Sequence, residues 1–191
     1  MSTVPRLTVA DVEALPDRLD DTRYELIDGV LLVTTQPHWE HQLIGAILNA
    51  ALLDWSLRTG RGVPNIAPGL IFSPEDAVAP DVVWISQERL ARGLGDDGKL
   101  HVAPELVVEL LSPGTTNERR DREVKLKLYA QQGVEEYWIV DWRARTVAVY
   151  RRADNELALA ATLTDADALT SPVLPGFSVP IASLWRLSRG R

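Results

Sequence analysis

The chain has 191 residues, 46% of them apolar and 25% charged, with a net charge of −7 and no cysteine. That length fits one globular domain able to bury a core unaided, and the lack of cysteine excludes disulfides and thiolate metal sites and fits a cytoplasmic protein. The negative balance argues against a nucleic-acid binder driven by bulk charge, and no apolar run approaches the roughly 20 residues of a membrane span.

The opening stretch carries acids and lacks the apolar centre of a secretory signal. Thr8 to Leu15 predicts a short helix, capped by Thr8 and ended by Pro16. Residues 23–29, RYELIDG, and the following Val30 to Thr34 read as a hairpin about Asp28-Gly29. Glu25 and Ile27 share one face of its first strand. Taken alone, Glu25 reads as an exposed acid on an edge strand.

Pro37 to Arg58 holds the longest helical pattern, with Leu43, Ile47, Ala50, Ala51 and Asp54 at helical spacing and Gly60 as its stop. His38 and His41, at its start, read as capping or surface groups. Prolines 64, 68, 74 and 80 then divide Val63 to Ile85 into short strands. In the last of these Asp81, Val83 and Ile85 share a face, which sets a carboxylate over the core. Ser86 to Ala91 reads as a short helix, and Gly93 to Gly98 as a polar loop.

The segment from His101 to Asp141 organises the chain. Glu105 to Leu111 is an almost wholly apolar run with Glu109 set inside it, the pattern of a strand covered on both faces. Ser112-Pro113-Gly114 breaks it. Thr115 and Glu118 give a capping-box signal for a helix running to about Gln132, stopped by Gly133. Glu136 to Asp141 resumes a strand. Beyond it, Thr146 to Arg152 and Glu156 to Leu163 read as a strand pair, and the proline-rich tail as an irregular apolar cover.

At about 100° per residue, Asp121, Val124, Lys125, Leu128 and Gln132 fall on one arc of the helix. Val124 and Leu128 require burial, so Lys125 is aimed at the layer that holds Glu109. Arg119, Arg120, Glu123 and Lys127 fall on the solvent side. A buried lysine and a buried carboxylate are each costly alone and tolerable together. The residues leave two readings open: a structural ion pair, or a charge pair held for chemistry.

YELIDG at 24–29, His41 after Pro37, APDVVWIS at 79–86, PELVVELLSP at 104–113, the Asp121, Lys125, Tyr129 series, GVEEYWIVD at 133–141 and LPGF at 174–177 together resemble the Uma2 family within the PD-(D/E)xK nuclease superfamily. The resemblance spans most of the chain. It implies an α/β fold with a restriction-endonuclease-like core, a mixed β-sheet flanked by helices. One domain would span 1–191, its core lying at about 20–150 and its terminal strands and cover at 151–191.

The family's catalytic residues map onto Glu25, Asp81, Glu109 and Lys125. The wider nuclease pattern places its lysine two residues after Glu109, where this chain has Leu111; the resemblance implies that Lys125 on the next helix replaces it. Asp81, Glu109 and the Leu110 carbonyl would hold Mg²⁺ or Mn²⁺. His41, Asp121 and Tyr129 are secondary candidates, and Arg119, Arg120 and Arg122 candidate phosphate contacts. The implied activity is metal-dependent hydrolysis of DNA phosphodiester bonds, with DNA and a second copy of the chain as partners. Two alternatives stand beside it: an inactive nuclease-fold module for DNA binding or oligomerisation, and a phosphoesterase acting on RNA or nucleotides.

Overall fold

The computed structural model describes residues 6–15, 23–34 and 37–187, except for the side chains of Thr115 and Thr116. It opens with α1 (Val9–Glu13), whose N-cap Thr8 forms a reciprocal capping box with Asp11; the expected stop, Pro16, lies outside the described residues. Then follow β1 (Arg23–Ile27), β2 (Val30–Thr34), α2 (Trp39–Thr59), β3 (Gly62–Ile66), β4 (Leu70–Ser73), β5 (Asp76–Val78), β6 (Val82–Ser86), α3 (Gln87–Gly93) and β7 (Leu106–Leu110). A helix in three parts comes next: α4 (Thr115–Arg119), a π turn (Arg120–Lys125) and α5 (Leu126–Gln132). The Thr115 side chain of the predicted capping box is among those not described. The chain closes with β8 (Glu136–Asp141), β9 (Thr146–Ala153), β10 (Glu156–Leu163), β11 (Ala168–Thr170), β12 (Ser178–Pro180) and α6 (Ile181–Leu184). The tail is thus more regular than its prolines suggest, because β11 and β12 pair antiparallel.

The larger sheet is mixed, in the order β10-β9-β8-β7-β6-β3, with β7 and β8 parallel and the other neighbours antiparallel. The parallel pair is joined by the three-part helix, as a parallel connection requires. The smaller sheet, β2-β1-β5-β4, is antiparallel throughout. This is the expected mixed sheet flanked by helices.

Side-chain alternation sorts the core into two layers. Val82, Trp84, Val108 and Trp138 pack against Ile44, Leu48, Leu52 and Trp55 of α2, and against the tail through Leu169, Leu174 and Ile181. Val83, Ile85, Val107 and Ile139 face the other way, toward Leu128 and Tyr129 of α5 and toward Ile27, Leu70 and Val78 of the smaller sheet. Glu109 alternates with Val107 and Leu111, and Asp81 with Val83 and Ile85, so both carboxylates belong to this second layer. β1 lies inside the smaller sheet, so Glu25 is not the edge-strand acid its sequence suggested; it is buried.

The π turn alters the expected helix face. A turn that carries an extra residue rotates what precedes it relative to a regular helix. Leu128 is buried as expected, but Val124 is 42% exposed and Arg120 is turned inward, both departures from a uniform 100° wheel. A widened turn also leaves carbonyls without their usual helical partners, and the Tyr137 hydroxyl on β8 donates to the Asp121 carbonyl at 3.0 Å. At the other end Gly133 takes φ +88°, and the Arg152 guanidinium donates to the Ala130 and Val134 carbonyls at 2.7 and 2.9 Å. Tyr137→Phe keeps the ring but leaves the Asp121 carbonyl without that donor. Urea unfolding should then show a loss of about 1–3 kcal/mol; an unchanged midpoint would mean the hydroxyl does not hold the turn.

Candidate active site

Four elements deliver four charged side chains to one place. β1 supplies Glu25, the residue entering β6 is Asp81, β7 supplies Glu109, and the end of the π turn supplies Lys125. The Lys125 ammonium is only 2% exposed. It donates to Glu25 Oε1 and Glu109 Oε1, both at 2.9 Å, and lies 3.9 Å from Asp121 Oδ1. Glu109 Oε1 also accepts the Tyr129 hydroxyl at 2.8 Å, and Glu25 Oε1 accepts the Ala79 amide at 2.9 Å.

Asp81 is fixed separately. Its Oδ2 accepts the Leu110 amide at 2.8 Å and lies 3.2 Å from His41 Nε2, while Arg23 donates to its Oδ1 at 3.4 Å. These groups wall a cavity of about 250 Å³ that Glu25, His41, Asp81, Glu109, Arg120 and Lys125 line.

Burial opposes every charge here, and the neighbours decide each outcome. Burial would lower the Lys125 pKa, but Glu109, Glu25 and Asp121 together hold the ammonium above its ordinary range. Burial drives the Glu109 carboxyl up to about 8; Lys125 pulls it down, and Asp81, Asp121 and Glu25 push it further up. Burial raises Asp81 too, yet the His41 and Leu110 hydrogen bonds and Lys125 outweigh it and leave this acid below its usual value. Burial leaves Asp121 raised in spite of Lys125 and Arg120. Burial keeps the Tyr129 hydroxyl protonated, hence a donor to Glu109.

Glu25, Asp81, Glu109, Lys125, Leu110, His41, Asp121, Tyr129 and Arg120 are therefore brought together. Arg119 and Arg122 are not: Arg119 is 76% exposed and pairs with Glu123, and Arg122 faces Asp141 at 3.6 Å. His41 corrects the surface reading, since it is 6% exposed and turned onto Asp81; His38 is the residue that caps α2. Tyr129 packs in the core and also binds the acid. Arg23 was missed. Its signal was available, because it alternates with Glu25 and Ile27 on the same strand face.

Among the described residues no three His, Asp or Glu side chains converge into a ready metal cage. The ammonium of Lys125 instead bridges Glu25 and Glu109. The donor chemistry still suits a hard divalent cation, which takes carboxylate and carbonyl oxygens. In a strand the N–H and C=O of one residue point the same way, so the Leu110 carbonyl faces the Asp81 side of β7, as its amide does.

The family model for Uma2, described as a putative restriction endonuclease, matches residues 9–182, and the chain belongs to that family. A crystal structure of a putative nuclease belonging to DUF820 from Anabaena variabilis ATCC 29413 superposes with a TM-score of 0.74 at 17% identity, covering 94% of this chain and 97% of that one. The likeness shows a shared fold. The search of curated proteins finds no match. Among the described residues no helix is long and apolar enough to cross a membrane.

The raised Glu109 carboxyl makes stability depend on pH. Its folded pKa of about 8 stands above the 4.5 of a free glutamate, so the folded chain keeps a proton that the unfolded chain releases. The resulting stability is fully present below about pH 4.5 and is lost as pH rises through 8. Glu109→Gln cannot titrate and retains an oxygen for Lys125 and Tyr129. Without divalent metal, its melting temperature relative to wild type should rise steadily from pH 5 to pH 8 and then level off; a constant difference would show that Glu109 ionises normally.

Proposed function

We propose that this member of the Uma2 family is a metal-dependent endonuclease that hydrolyses DNA phosphodiester bonds. The observation that carries the reading is the buried Lys125 ammonium held at 2.9 Å from two carboxylates, beside a third, in the wall of one cavity. Keeping so much charge out of water costs several kcal/mol for each unpaired member, and a bridge held only for structure would not need a cavity beside it.

Asp81, Glu109 and the Leu110 carbonyl would hold Mg²⁺ or Mn²⁺, which would supply positive charge to the phosphoryl oxygens and acidify water. Asp81 suits direct ligation because His41 and the Leu110 amide keep it ionised. Glu109 would bind metal at the expense of its proton, with Tyr129 orienting one of its oxygens. Glu25 would orient the attacking water and receive its proton. Lys125 would keep its positive charge throughout, facing the negative charge that grows on the phosphoryl group. A homodimer would give one such site per strand of a duplex.

Plasmid nicking with Mg²⁺ or Mn²⁺ tests the proposal. Asp81→Asn and Glu109→Gln should abolish cleavage. Lys125→Met should reduce turnover by roughly 10²–10³-fold, the usual effect of losing one transition-state electrostatic group. The same variant leaves Glu25 and Glu109 facing each other, costing about 3–5 kcal/mol, and divalent metal should recover part of that loss. Lys127→Met should cut like wild type. Equal cleavage by wild type and Glu109→Gln would identify a contaminant and end the claim.

A further inference from the structure

The wall of the same cavity carries two guanidiniums that the acids use only in part. Arg120 is largely buried, its side chain 12% exposed, and its Nε donates to Asp121 Oδ1 at 3.0 Å. Its two terminal nitrogens have no hydrogen-bond partner among the described residues. Arg23, arriving from β1, spends one terminal nitrogen on the Ala79 carbonyl at 3.1 Å and on Asp81 Oδ1 at 3.4 Å. Its other terminal nitrogen and its Nε likewise have no partner among the described residues. Both side chains line the cavity with the polar groups of Thr34, Gln42 and Ser112.

The geometry points to an oxyanion site in this wall, in which Arg23 and Arg120 take the non-bridging oxygens of a phosphate without help from a metal ion. Each guanidinium is already anchored at one edge, so little side-chain freedom remains to be lost when an anion arrives. A guanidinium fork matches two oxygens of one phosphate in a way that a lysine cannot. The acids deeper in the cavity would repel an approaching phosphate, and these two cations are placed to offset that repulsion. The order of events differs from one in which metal recruits substrate: the phosphate docks on the arginines first. Identifying the ligand as a DNA phosphodiester rests on the nuclease reading above, whereas the oxyanion site does not.

Calorimetric titration of the full chain in EDTA, with dimethyl phosphate and with inorganic phosphate as probes, tests this. Wild type should bind. Arg120→Gln and Arg23→Gln should each weaken binding about tenfold or more, as expected when a hydrogen bond between charged groups is lost. Arg92→Gln, whose guanidinium pairs with Glu88 on the surface, should bind like wild type. If Arg120→Gln does not fold because Asp121 loses its partner, Arg120→Lys decides: it keeps the charge and should still weaken binding for want of the fork. No binding by wild type in EDTA overturns the site, and so does an equal loss in Arg92→Gln. Binding as expected with no metal-dependent plasmid cleavage leaves the site standing and removes the nuclease reading; cleavage without anion binding in EDTA does the reverse.

Discussion

The Lys125 ammonium sits between Glu25 of the smaller sheet and Glu109 of the larger one, and this buried bridge ties the two sheets to the helix that carries Lys125. Burial alone would favour a neutral lysine. Three carboxylates within 4 Å reverse that preference, so the ammonium stays charged and its partners are constrained to surround it. The apolar contacts of the second layer bring the sheets together, and the bridge specifies their alignment. A shift of either sheet by one residue would exchange a carboxylate for an uncharged side chain opposite the ammonium.

Two tyrosines support the bridge in opposite directions. Tyr129 reaches from the helix to a carboxylate on the sheet, and Tyr137 reaches from the sheet to a carbonyl on the helix. Their rings meet edge to face with centroids 5.1 Å apart. Together they set the helix's height above the sheet and its rotation about its own axis. Asp81 belongs to a different set of bonds, with His41, Arg23 and the Leu110 amide. The two acids therefore have different hydrogen-bond partners although Lys125 acts on both, and their proton affinities diverge, one pushed down and the other up.

Much of this was legible in the sequence because it follows from strict periodicity. Period two placed Asp81 and Glu109 on one face, and the helical wheel placed Lys125 toward them. The wheel misplaced Val124 and Arg120 because it assumes a constant rotation per residue, and the π turn that contains both residues breaks that assumption. Nothing in the local sequence of Arg120–Lys125 announces a widened turn. Its support comes from Tyr137, which lies on a strand beyond the helix. Glu25 and His41 were underestimated for a related reason: whether a strand is central or at an edge, and what a helix start faces, depends on partners distant in sequence. Arg23 differs, because the alternation that grouped Glu25 with Ile27 included it as well.

The charged centre is drawn from residues 25, 81, 109 and 125, on two sheets and a helix, and the two ends of its Glu25–Lys125 contact stand 100 positions apart. Contacts so distant along the chain form late and slowly, after the loop entropy has been spent. A chain that has lost the docking of its smaller sheet retains the Lys125–Glu109 pair but lacks Glu25, so the charged cluster is incomplete. Completion of the charged cluster thus reports on completed folding. For a protein whose proposed substrate is genetic material, a half-made molecule would be a harmless one.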